Sequence, residues 1–246
     1  MVGAGPAYTD RLGAAGASYL LRDGGTAILL DLGQGAFPRL AGLLDPARLD
    51  AIFISHLHPD HFVDLVSLRH YLRWGPGHPS RVRVMGPAGL GDRLDALHAE
   101  PGFTAAALDV EALEPGVRSC GWLAVEAVRV THTNDSFAFR VAPPAGPGLV
   151  YSGDCGRADD LAVLIRPGDV LLAEVSFGAG PVPADAGHLD GPAVGALAQR
   201  TKASRVLLTH LLMGHDEAAT IAATRVAYDG PVQLVQPGDA FELPGP

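Results

Sequence analysis

The stretch Ser55-His56-Leu57-His58-Pro59-Asp60-His61 decides how this chain is read. It follows Ala51-Ile52-Phe53-Ile54, a short apolar run that reads as a buried strand. Three imidazoles and one carboxylate therefore crowd into seven residues where a strand runs out. Packing gives no reason for such a cluster, because polar groups at the edge of a core cost free energy unless they find partners. Neutral imidazole and carboxylate are ligands for borderline divalent metals such as zinc.

Outward from this loop, the same arrangement recurs four times. Val128-Arg129-Val130-Thr131 delivers His132, and Leu149-Val150-Tyr151-Ser152-Gly153 delivers Asp154. Val170-Leu171-Leu172-Ala173 delivers Glu174, and Val206-Leu207-Leu208-Thr209 delivers His210. Strand ends in α/β folds are rigid platforms whose loops carry sites. A lone histidine after a strand is commonly an ordinary loop or core residue. Together with the first cluster, these positions supply enough ligands for two metal ions.

The rest of the pattern is α/β. Ala17–Leu21 and Thr26–Leu30 flank Asp23-Gly24-Gly25 and read as a hairpin. A short helix is expected near Ala36–Leu43, then the strand Ala51–Ile54. One helix is expected from near His61 to about Arg73, ended by Trp74-Gly75-Pro76-Gly77. Further strands are expected at Arg81–Met85, Val125–Val130, Phe137–Val141, Leu149–Ser152, Val170–Val175, Arg205–Leu208 and Val232–Val235. Helices are expected from Gly86-Pro87 to about Ala99, at Pro192–Thr201 and at Ala218–Ala227. Hairpins followed by alternating strands and helices, in each half of the chain, predict two packed sheets with helices outside. That is an α/β four-layer αββα sandwich, read as a single domain over residues 1–246.

Composition narrows the function classes. Hydrophobic residues make up 48% and charged residues 18%, which supports a sizeable core and argues against disorder. Gly 31 and Pro 20 imply many turns and argue against a helical bundle. The formal net charge of -9, with arginines scattered singly, gives no general attraction to nucleic acid. Cys120 and Cys155 cannot define a disulfide framework and read as reduced thiols, in keeping with a cytoplasmic location. No segment approaches the ~20 apolar residues of a membrane span, and no secretory signal opens the chain.

With these motifs in order, the chain resembles the metallo-β-lactamase-fold hydrolases, specifically the short RNase Z-like branch. The motif HxHxDH stands complete at His56, His58, Asp60 and His61, and the later motifs match His132, Asp154 and His210. The resemblance runs from about Ser18 to the C-terminus. It implies one zinc on His56, His58 and His132, another on Asp60, His61 and His210, and Asp154 bridging them. Mn2+ or Fe2+ are accepted by overlapping ligand chemistry. It also implies that a metal-bridging hydroxide is the nucleophile, that Asp60 orients it, and that Glu174 orients His188 to assist the leaving oxygen. Such a pair suits a phosphodiester, whose departing alkoxide must gain a proton or positive charge.

The expected function is a dinuclear zinc-dependent phosphodiesterase acting on a small phosphodiester or other small molecule, with a homodimer implied by the resemblance. A lactonase or thioesterase of the same fold is one alternative. Another is a tRNA 3′-processing endonuclease whose RNA-binding surface comes from a partner. Nucleic acid is not favoured, because only 21 residues separate His132 from Asp154 and none forms a basic, glycine-rich arm. The opening strand typical of the family is short or missing. Ser55 and Ser152 read as hydrogen-bond donors or turn formers beside ligands. Asp31 reads equally as a turn former or as support for a metal-binding histidine. His70, His78, His98 and His215 are left outside the site.

Overall fold

The central strands Thr26–Leu30, Ala51–Phe53, Leu149–Tyr151 and Val170–Glu174 are buried at every residue, which calls for cover on both faces. In the computed structural model, which describes residues 1–77 and 79–244, this produces two sheets lying face to face. The first has the order β1 (Tyr19–Asp23), β2 (Thr26–Leu30), β3 (Ala51–Phe53), β4 (Val82–Gly86) and β5 (Leu108–Ala112). Only β1 runs antiparallel to its neighbour. The second places β12 (Val232–Leu234), β11 (Arg205–Thr209), β10 (Val170–Glu174) and β9 (Leu149–Tyr151) in parallel. It continues antiparallel through β8 (Phe137–Ala142), β7 (Leu123–Arg129) and β6 (Gly116–Cys120).

Alternation divides the apolar residues among three cores. Ile28, Leu30 and Phe53 meet Phe137, Phe139, Tyr151, Leu172 and Leu207 between the sheets. Their intervening partners Leu29, Ile52 and Val84 face α1 (Phe37–Leu43), α3 (Leu65–Trp74) and α4 (Leu90–His98). Leu171, Ala173, Val206 and Leu208 pack under α5 (Gly191–Thr201) and α6 (Glu217–Ala227). The four layers follow as expected. Among the described residues, no helix is long and apolar enough to cross a membrane.

Three features depart from the sequence reading. The single helix expected from His61 to Arg73 is two pieces, α2 (Pro59–Phe62) and α3. The backbone between them pairs with Leu32 instead: Leu32 N–H donates to His61 O, and Asp64 N–H donates to Leu32 O. The helix expected from Gly86-Pro87 starts only at Leu90, because Gly89 adopts a left-handed φ of 83°. Strands β5 and β6 and the first residues of β7 were not foreseen. The opening segment is short, as expected: Gly3 and Gly5 make isolated bridges to Ser18 and Gly16. His78 lies outside the described residues.

Candidate metal centre

Every residue of the candidate centre stands at or just beyond the end of a strand. His56, His58, Asp60 and His61 follow β3, His132 follows β7, Asp154 follows β9 and His210 follows β11. Parallel strands and their crossovers bring these ends to one edge of the sandwich. Close backbone contact seats the histidine loop. Ala17 N–H donates to Asp60 O, and a Cβ at Gly33 would lie 1.8 Å from that same oxygen. Only glycine permits that approach.

Asp154 is the pivot. Its Oδ2 lies 3.6 Å from His56 Nε2 and 3.7 Å from His132 Nε2. Its Oδ1 lies 3.3 Å from His61 Nε2 and 3.5 Å from His210 Nε2. His58 Nδ1 stands 3.2 Å from His132 Nε2, and Asp60 Oδ2 stands 3.2 Å from His210 Nε2. Two groups of ligand atoms result, each within 4.8 Å: His56, His58, His132 and Asp154, and Asp60, His61 and His210.

The rings are aimed by what they bond on their far side. His56 Nδ1 bonds Ser55 Oγ, His61 Nδ1 bonds Asp31 Oδ2, His132 Nδ1 bonds Gly187 O and His210 Nδ1 bonds Ser176 Oγ. Each bond suits a proton on Nδ1 and turns Nε2 inward, the arrangement a metal ligand needs. His58 differs, offering Nδ1. Asp31 lies outside any turn, and its carboxylate holds His61, a ring of the candidate centre. Its φ is 58°, and its carboxylate also accepts from Ser55 N–H, Ser55 Oγ and Tyr151 OH.

The electrostatics point to a cation. Burial works against a charged His61, yet Asp154 and Asp31 outweigh it and hold its pKa well above the ordinary imidazole range. His210 behaves alike: burial lowers its pKa, while Asp154 and the bond to Asp60 raise it further. Burial raises Asp154, but His210 and His61 pull it well below the usual carboxylate range. His56 is lowered by burial and by the neighbouring His61. The buried carboxylates thus draw protons onto nearby rings, a compensation that a divalent ion supplies more fully. His56 Nε2, His61 Nε2 and Asp154 Oδ1 are buried without a hydrogen-bond partner. Orphaned polar atoms converging on one point are what an ion would satisfy, so the residues present fit a divalent metal.

Beside Asp154, His188 Nδ1 bonds Glu174 Oε1 at 2.9 Å and lies 4.0 Å from Asp154 Oδ2. Glu174 is within ligand reach, but both of its oxygens are taken. Oε1 accepts from Cys155 N–H, Leu189 N–H and His188, and Oε2 accepts from Ser176 N–H and Oγ. Burial lowers the His188 pKa, but the bond and charge of Glu174 outweigh it and the net shift is upward. Ser176, which ties Glu174 to His188 and His210, escaped the sequence reading. Strand alternation two residues past Glu174 was the available signal. His215 stands outside the cluster, its ring 6.0 Å from that of Phe177. His70 bonds Val66 O on its own helix.

The model of the Beta-lactamase superfamily domain matches residues 26–211. An uncharacterized protein of Mycobacterium leprae is 32% identical over 235 residues, covering 93% of this chain and 82% of the relative. The crystal structure of the metallo-beta-lactamase fold protein YhfI from Bacillus subtilis superposes with a TM-score of 0.85 at 22% identity, covering 97% of this chain and 95% of the other. That of human tRNase Z, short form, gives 0.73 at 23%, covering 99% and 98%. At these identities the two structures speak for the fold. The chain belongs to the beta-lactamase superfamily and has the metallo-hydrolase fold.

Proposed function

We propose that the chain is a dinuclear zinc-dependent phosphodiesterase acting on small phosphodiesters, cyclic nucleotides among them. His56, His58 and His132 would hold one ion, Asp60, His61 and His210 the other, with Asp154 between them. When bound, the metal pair supplies a water deprotonated near neutral pH and a positive field for the phosphoryl oxygens. Asp60 orients the nucleophile, and Glu174 fixes the His188 ring with its proton on Nδ1.

The observation that carries this reading is the Glu174–His188 pair standing against Asp154, with no hydrogen bond to His188 Nε2 among the described residues. A thioesterase has less need of it, because a thiolate leaves readily without a proton whereas an alkoxide does not. The ribonuclease named among the structural neighbours also acts on a phosphodiester. Zinc-loaded protein should hydrolyse bis(p-nitrophenyl) phosphate. His188→Ala should lower turnover on an unactivated alkyl ester by about 10²–10⁴-fold with zinc content unchanged. Full activity in that variant removes His188 from the mechanism. Turnover of acyl-homoserine lactones or thioesters in place of phosphodiesters would move the chain to another hydrolase class.

A further inference from the structure

Arg93 projects from α4 onto the histidine loop, where its Nη1 donates to Leu57 O at 2.9 Å. Leu57 separates buried His56 from exposed His58. The guanidinium therefore stands on the outer edge of the ligand loop. Its partner there is a neutral carbonyl, which fixes the group in place and leaves its charge uncompensated. Five other arginines end on carboxylates, Arg81 on Asp109, Arg83 on Glu111, Arg129 on Asp135, Arg166 on Glu126 and Arg200 on Asp159; Arg93, like exposed Arg22 and Arg73, does not. Among the described residues, no carboxylate lies within ion-pair distance of Arg93. In a chain of net charge -9, an anchored and unpaired cation at the site's rim is a ready anion contact.

Its position tells which part of a substrate it meets. The rings run in order from His58 to His132, 4.9 Å, and from His132 to His188, 4.7 Å. With the departing oxygen assigned to His188, Arg93, which bonds the loop beside His58, is left to the retained half. We propose that Arg93 is a specificity-determining residue that binds a second phosphate on the retained half of the substrate. This deepens, and rests on, the phosphodiesterase reading. The preferred substrate class is then a phosphodiester carrying a terminal phosphate monoester.

Two p-nitrophenyl esters of thymidine 5′-phosphate test this, one with a free 3′-hydroxyl and one with a 3′-phosphate. Both release p-nitrophenol and retain the nucleoside. Zinc-loaded wild type should show about a tenfold higher kcat/KM for the 3′-phosphorylated ester, as one charge-assisted contact allows. Arg93→Ala should erase that preference, bringing the kcat/KM ratio of the two esters to within about twofold of one. Arg93→Lys should keep part of the preference, since charge survives the loss of the fork. Arg22→Ala, an equal change of net charge on the hairpin, should leave it intact. A wild type without preference, or a preference that survives Arg93→Ala, overturns the proposal.

Calorimetric binding of adenosine 3′,5′-bisphosphate against adenosine 5′-monophosphate separates the two readings. If neither ester is cleaved, the phosphodiesterase reading fails. Arg93 then stands if wild type prefers the bisphosphate and Arg93→Ala does not, and falls otherwise.

Discussion

Replacing Asp31 by asparagine isolates the link between a buried carboxylate and the proposed metal site. Asp31 is fully buried at a φ of 58°, a conformation asparagine also adopts. The backbone is kept and one oxygen becomes an amide nitrogen. In the native protein, Oδ1 accepts from Ser55 N–H, and Oδ2 accepts from Ser55 Oγ, Tyr151 OH and His61 Nδ1, all at 2.7 Å. An amide oxygen at the Oδ1 position keeps the Ser55 backbone bond. The amide nitrogen then faces two hydroxyls, which can rotate to accept, and one imidazole N–H, which cannot. That N–H either stays unmet, at about 1–3 kcal/mol, or its proton moves to Nε2 and caps the atom that points at Asp154.

Lost outer-shell contacts of this kind lower metal affinity by about 10–100-fold. Competition with a chromophoric chelator measures the zinc affinity, and urea unfolding in EDTA measures the metal-free stability. The expected result is an affinity loss of that size together with a stability loss of about 1–3 kcal/mol. A variant destabilised as expected but binding zinc as tightly as wild type would refute the idea that Asp31 sets the state of His61.

Two further outcomes are expected. Asp169 is fully buried and accepts a two-pronged bond from Arg140 at 2.7 and 2.9 Å, besides Gly148 N–H and Arg166 N–H; Asp169→Ala should cost about 3–5 kcal/mol in urea unfolding by stranding Arg140. Burial pushes the Cys155 thiol up to about 12 and also raises Cys120, so the native protein should resist thiol titration with a disulfide reagent, and both thiols should react once it unfolds.

The candidate site was legible because its chemistry is local. Four of its side chains fall within His56–His61, and the rest follow uninterrupted apolar runs such as Val206–Leu208. What stayed hidden depends on contacts distant in sequence. The break between α2 and α3 is dictated by Leu32, which nothing within the expected helix announces. Strands β5 and β6 are exposed edges, Leu-Asp-Val-Glu-Ala and Gly-Val-Arg-Ser-Cys, and lack the continuous apolar run of a covered strand. Ser176 and Arg93 are single polar residues whose importance lies in where the fold sets them. Of the two roles left open for Asp31, the structure bears on one: from a left-handed backbone position its carboxylate bonds His61.

The ligand atoms come from both halves of the sandwich, the histidine loop from the sheet of β1 to β5 and His132, Asp154 and His210 from the sheet of β6 to β12. A bound cation would act as a rivet through the seam. It could be gripped in full only after the halves close on each other, so its capture would be the last event of folding and its loss the first loosening. Chelators would then loosen the ligand edge first, while the apolar core between the sheets keeps the halves together.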